Sequence, residues 1–102
     1  MKERITPAAA QAMLAKAGGQ RWVTMFKHGT LELEYYAPVK TDPQQPHTRD
    51  EVYFVLSGRG TFVMDGQPRE FGPGEVIYAP KGVPHRFEKF SDDFATWAIF
   101  AG

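Results

Sequence analysis

Apolar positions near the N-terminus recur at helical spacing. Ala10, Met13, Leu14 and Ala17 stand three and four residues apart, a narrow stripe on one face of a helix. Thr6 supplies an N-cap hydroxyl, and Pro7 takes the first helical position, where its missing N–H costs nothing. Gly18-Gly19 provides the stop after Ala17. The pattern predicts one short helix that braces another element. From Arg21 onward the texture changes to short runs of Val, Ile, Phe, Tyr and Trp cut by turn residues. Trp22–Lys27 reads as a strand, His28-Gly29 as a hairpin tip, and Leu31–Tyr36 as a strand in which Leu and Glu alternate. A polar stretch from Pro38 to Asp50 precedes a strand over Val52–Leu56. Turn marks then come regularly at Ser57-Gly58, Asp65-Gly66, Gly72-Pro73-Gly74, Pro80-Lys81-Gly82 and Ser91-Asp92-Asp93, with a last strand over Phe94–Phe100. Evenly spaced short strands predict an all-β sandwich or barrel.

Composition narrows the function classes. The chain has 102 residues, room for one domain. Twelve Lys+Arg balance twelve Asp+Glu, and the charges are interspersed, which argues against a nucleic-acid surface. Cysteine is absent, which removes disulfides, thiolate metal sites and a cysteine nucleophile together. The N-terminus is charged with no apolar run behind it, so no signal peptide is expected, and no segment approaches a membrane span. The simplest expectation is a soluble, cytoplasmic protein with no membrane partner. No phosphate-binding glycine loop and no serine-nucleophile motif is present.

The chemistry concentrates in histidine and carboxylate spacing. Gln45, His47, Arg49 and Glu51 stand at alternate positions, so an extended chain turns them to one face. His85 opens the strand that follows Pro80-Lys81-Gly82-Val83-Pro84. Taken singly, His47 reads as a solvated loop residue and His85 as a cap. With the second strand beside the first, His47, Glu51 and His85 become two imidazoles and one carboxylate. Such a set suits Fe, Mn, Ni, Zn or Cu. His28, beside Gly29 at a hairpin tip, reads as surface. Tyr53 and Val55 share the parity of Glu51, and Phe87 that of His85, so these face inward. Tyr36, Phe62, Met64 and Trp97 are expected as neighbours on other strands. For most of these residues barrel packing is the stronger reading. Arg49 offers a fork of donors to a ligand carboxylate, or is solvent-exposed.

Gln45-Pro46-His47, three residues, Glu51, six residues and Gly58 form one motif; Gly74, five residues, Pro80-Lys81-Gly82, two residues and His85 form another. Fifteen residues, Arg59 to Pro73, separate them. In these motifs the chain resembles the cupins, the RmlC-like jelly-roll superfamily, in its small single-domain, conserved-barrel (cupin 2) form. Three positions depart from the family pattern. Val39 stands at the leading glycine, Lys89 at the final asparagine, and Gln45 at the first metal-binding histidine.

The resemblance implies a double-stranded β-helix, or jelly-roll, barrel over residues 21–102, preceded by a helix and arm over residues 1–20. It also implies a divalent transition metal held by Gln45, His47, Glu51 and His85. An amide in place of an imidazole leaves a harder, weaker donor. The set is then four-ligand, three-ligand with an additional open position, or of weak affinity. Function follows as metal-dependent chemistry on a small molecule, of dioxygenase, isomerase or decarboxylase type. The alternative is a non-catalytic barrel that senses or carries a small ligand, since no second general acid or base stands out. Family likeness implies a homodimer. Independently, Val52, Phe54 and Leu56 are apolar on the face opposite Glu51, so something must cover that face: a second copy or the N-terminal helix.

Overall fold

In the computed structural model, which describes residues 4–43 and 46–102, the predicted helix forms as α1 (Pro7–Ala15). Thr6 Oγ1 accepts a hydrogen bond from the Ala9 N–H at 3.2 Å, which satisfies one of the free donors of the first turn. The helix ends two residues before the expected Ala17. Ala10 and Leu14 are buried and Ala17 packs beside them, whereas Met13 faces solvent. Among the described residues eight strands follow: β1 (Trp22–His28), β2 (Leu31–Tyr36), β3 (Asp50–Ser57), β4 (Gly60–Met64), β5 (Gln67–Phe71), β6 (Val76–Ala79), β7 (His85–Glu88) and β8 (Ala95–Ala101). The strand read as Val52–Leu56 is longer at both ends.

Two antiparallel sheets carry these strands, in the orders β1-β2-β8-β3-β6 and β5-β4-β7. The expected jelly-roll with one short helix is the observed architecture. Register explains the inside of the barrel. Glu32 pairs with Phe100, Phe100 with Glu51, and Glu51 with Ala79, which makes one inward row across four strands. The next inward row runs Glu34, Ala98, Tyr53, Ile77. Because strand faces alternate with period two, these pairings fix which residues see the interior. Tyr53, Phe62, Phe71, Phe87, Phe94 and Phe100, with Val55 among them, fill the space between the sheets as a largely aromatic cluster. Phe87 touches Tyr53, Phe62, Phe71 and Phe94, with ring centroids 4.7–5.3 Å apart in tilted or edge-on contacts, the geometry aromatic quadrupoles prefer.

On the opposite face of the larger sheet, Ala10 and Leu14 of α1 pack on Val23, Tyr35 and Ala95, with Leu56 and Trp97 alongside. The helix therefore covers part of that face. Phe54, Val76 and Tyr78 remain exposed, with Val76 at 64% and Tyr78 at 54% of their full accessibility. Among the described residues no helix is long and apolar enough to cross a membrane.

Turn geometry sets the strand ends. Gly58 has φ of +83°, and a Cβ there would lie 2.5 Å from Phe94 Cα, so backbone packing and conformation both require glycine. Lys89 also lies in the left-handed region, at φ of +51°. That conformation explains why the family pattern puts asparagine there, since asparagine tolerates it better than most side chains.

Candidate metal centre

Three potential ligands meet where the two sheets come together. Glu51 is the second residue of β3, His47 lies four residues before it, and His85 opens β7 in the other sheet. Asp50 draws the intervening chain onto β3. Its Oδ1 accepts from the Lys81 N–H at 3.0 Å and from the Tyr78 hydroxyl at 3.3 Å. The Gly82 N–H then donates to the His47 carbonyl at 2.7 Å, tying the Pro80-Lys81-Gly82 turn directly to the first histidine. From there two residues, Val83 and Pro84, bring the chain to His85.

His47 Nε2 and His85 Nε2 each lie 3.2 Å from Glu51 Oε1. One donor atom from each of the three residues lies within 4.8 Å of the others. Glu51 and His85 are buried, while His47 is about one-third open to solvent. His85 Nδ1 lies 3.0 Å from the Val83 carbonyl, which only accepts, so Nδ1 carries the proton of the neutral ring. Nε2 then keeps its lone pair, aimed toward Glu51 and 3.0 Å from the Tyr53 hydroxyl. A backbone carbonyl that fixes the tautomer in this way is a recurring support for metal-binding imidazoles. Burial works against a charged His85, but the adjacent Glu51 carboxylate, which favours the protonated ring, the Val83 carbonyl and the charge of Asp42 outweigh it and raise its pKa.

Among the described residues no hydrogen bond reaches the buried Glu51 Oε1, whose polar neighbours are the two imidazole nitrogens at 3.2 Å. An unsatisfied buried carboxylate oxygen is costly, and a cation between it and two imidazole nitrogens satisfies it. The residues present thus fit a divalent transition metal. Gln45, the expected further ligand, lies outside the described residues.

A cavity of about 470 Å³ opens onto His47 and Glu51 and is lined also by Glu34, Tyr36, Arg49, Ala98 and Phe100. Of the expected pocket residues, Tyr36 and Arg49 line it. The Arg49 guanidinium sits 4.7 Å from the centre of the Phe100 ring and donates to Glu32 Oε1 at 2.9 Å, so it is packed and paired rather than free for a ligand carboxylate. Tyr53, Phe62 and Phe87 belong to the aromatic core beneath His85, and Met64, in register with His85, packs against that core. Trp97 corrects the expectation. β8 turns its even-numbered residues inward, because Ala98 and Phe100 are in register with Tyr53 and Glu51. Trp97 therefore faces outward and meets Tyr35 edge-on at 5.7 Å.

Three carboxylates escaped the sequence reading. Asp42 is buried in the polar stretch; it accepts from the Tyr36 hydroxyl and, at 2.8 Å, from the Phe87 N–H, fastening that loop across the barrel. Burial and the Asp42 hydrogen bond together push the Tyr36 phenol well above its ordinary pKa. Glu32 and Glu34 both face inward on β2. The Leu-Glu alternation was the available signal, but an alternating charged face ordinarily reads as the solvated one.

Comparison with known proteins agrees with this geometry. The Cupin domain family matches residues 32–100. An uncharacterized protein of Streptomyces coelicolor is 41% identical over 61 residues, 60% of this chain and 58% of its own length. Acireductone dioxygenase of Bacillus subtilis is 44% identical over 46 residues, 40% of this chain and 26% of that enzyme. The chain thus spans less than two thirds of the length of either relative. A cupin 2 conserved barrel domain protein from Salinispora arenicola superposes with a TM-score of 0.72 at 22% identity, over 100% of this chain and 89% of that one. With the barrel and its two-histidine, one-glutamate cluster in place, the match over residues 32–100 establishes that the chain belongs to the cupin family.

Proposed function

We propose that the protein is a metal-dependent enzyme acting on a small molecule, its divalent transition metal held by His47, Glu51 and His85, with Gln45 as a further ligand. The observation that carries this reading is the buried Glu51 Oε1, facing two imidazole nitrogens and given no hydrogen bond by the described residues. When bound, the metal supplies Lewis acidity or a redox centre to a ligand in the cavity. Phe100 and Ala98 give that cavity an apolar wall, and Tyr53 and the Val83 carbonyl hold His85 in its binding tautomer. Among the reaction types such a set serves, dioxygenase chemistry draws support from the acireductone dioxygenase relative. The exposed Phe54, Val76 and Tyr78 support a homodimer through the outer sheet face.

Elemental analysis of untagged protein tests the centre. We expect near-stoichiometric transition metal, its loss in His85→Ala with an unchanged circular dichroism spectrum, and tighter retention in Gln45→His. Metal content that His85→Ala leaves unchanged refutes the ligand assignment. Oxygen uptake by the loaded protein with small diketones, thiols and phenols tests the dioxygenase reading. Full metal occupancy without turnover on any panel points to a binding module instead.

A further inference from the structure

The cavity holds an ionisable group that metal binding does not use. Glu34 faces the interior from β2, in register with Ala98, and lines the same cavity as His47 and Glu51. Ala98 lies between Glu34 and Tyr53 in their inward row, and its small side chain leaves room above the sheet. Glu34 stands two strands from β3, roughly 10 Å between backbones at ordinary strand spacing, a gap that a small ligand spans.

The surroundings of Glu34 are arranged around one neighbour. Glu32, two residues earlier on the same face, accepts from Arg49 Nη2 at 2.9 Å and from Thr24 Oγ1 at 3.3 Å. Arg49 holds Glu32 as a carboxylate: burial alone would raise its pKa, but the guanidinium bond and charge outweigh burial and lower it. Glu34 hydrogen-bonds to Glu32, the carboxylate that Arg49 holds. Burial first, then the charge and hydrogen bond of Glu32 and the charge of Glu51, push Glu34 up to about 7, with Arg49 opposing them weakly. Among the described residues the charged or titratable groups lining its cavity or acting on it are Glu32 on β2, Arg21 just before β1, Arg49 just before β3, Glu51 on β3, and His47 and Tyr36 on the cavity wall. A carboxyl near neutrality, in a cleft beside a metal centre, suits proton transfer.

We propose that Glu34 is the acid–base group of this cavity, taking a proton from a weakly acidic hydroxyl of a small ligand seated between β2 and the His47–Glu51–His85 centre. In this step the ligand O–H bond breaks, its electron pair stays on the ligand oxygen, and a new O–H bond forms on the Glu34 carboxylate. Glu32 and Arg49 are positioning residues. The inference rests on the metal-centre reading above, and its test separates the two.

Cobalt(II) titration first establishes metal binding in the wild type and in Glu34→Gln. Acetohydroxamic acid, a small weak oxygen acid that chelates metals, is then titrated into each loaded protein by calorimetry. Buffers of different ionisation enthalpy give the number of protons released. At about pH 8 the wild type is expected to release almost none, because Glu34 takes the ligand proton, whereas Glu34→Gln releases about one. At acid pH, where Glu34 is protonated before the ligand arrives, both release about one. Glu34→Asp, which keeps a carboxyl, should restore part of the uptake and guards against misfolding of the amide variant. In Glu32→Gln the transition in proton count should move to lower pH. Equal counts in wild type and Glu34→Gln at pH 8, or no binding heat on loaded protein, overturn the proposal while the metal centre stands. Failure of the cobalt titration in both proteins overturns the metal reading and this inference with it.

Discussion

Glu34 and Glu51 are both barrel-facing carboxyls, yet their surroundings divide the work between them. Glu51 faces two imidazole nitrogens, and among the described residues its Oε1 receives no hydrogen bond, which suits a cation. Glu34 hydrogen-bonds to a neighbouring carboxylate and favours its own proton, its pKa raised from 4.5 to about 7 chiefly by burial and Glu32. This has a consequence for stability. Below about pH 4.5 the group is protonated both folded and unfolded, and it adds no pH dependence. As pH rises toward 7 the unfolded chain ionises first, so folding loses free energy, and the loss is complete above the folded pKa. Each pKa unit is about 1.4 kcal/mol. Water at the cavity mouth reduces the effect to on the order of 2 kcal/mol. Metal-free Glu34→Gln is therefore expected to match the wild type in urea midpoint near pH 4 and to exceed it above pH 7. A constant offset across that range would disprove the assignment.

Among the elements, the segment from β6 to β7 matters most to the site. It must leave one sheet and enter the other while delivering His85 to Glu51. Asp50 performs the attachment through Lys81 and Tyr78, and the Gly82 N–H completes it on the His47 carbonyl. Asp50→Ala leaves the Lys81 N–H without its acceptor and is expected to cost about 1–2 kcal/mol in stability. Metal affinity should fall as well, because His85 loses the anchor that sets its approach; unchanged affinity in a calorimetric titration would show the turn to be self-supporting. The site begins at the Gln45–Glu51 run and the Pro80–Gly82 turn, and both were legible as spacing. Their contact was not, because it depends on backbone hydrogen bonds between segments more than thirty residues apart.

At the scale of the whole molecule, the larger sheet has an inner face devoted to the site and core and an outer face only partly covered. Helix α1 shields Val23, Tyr35 and Ala95, and the strip of Phe54, Val76 and Tyr78 stays open on β3 and the edge strand β6. Unpaired edges and exposed apolar strips favour association between chains. The proposed homodimer seats a second copy there, and Val76→Lys combined with Tyr78→Glu is expected to yield a monomer by light scattering at micromolar concentration. A wild-type protein that is already monomeric would overturn the homodimer, α1 then covering Leu56 and leaving Phe54 to solvent.

Period-two alternation and regular turn marks determined the barrel. A strand has two faces, and a glycine or proline at its end limits what the backbone can do next. The same local rules placed Gln45, His47 and Glu51 at alternating positions and His85 at a strand start. Which face pointed inward was another matter. Leu31, Glu32, Leu33 and Glu34 alternate cleanly, yet β2 turns its glutamates toward the cavity, because its register with β8 puts Glu32 beside Phe100 and Glu34 beside Ala98. Trp97 faces outward for the same reason. Alternation is a property of one strand, whereas the choice of face belongs to pairing between strands distant in sequence. The proposed acid–base group and the buried carboxylate oxygen of the candidate metal centre are therefore products of tertiary structure, built on a pattern the chain carries locally.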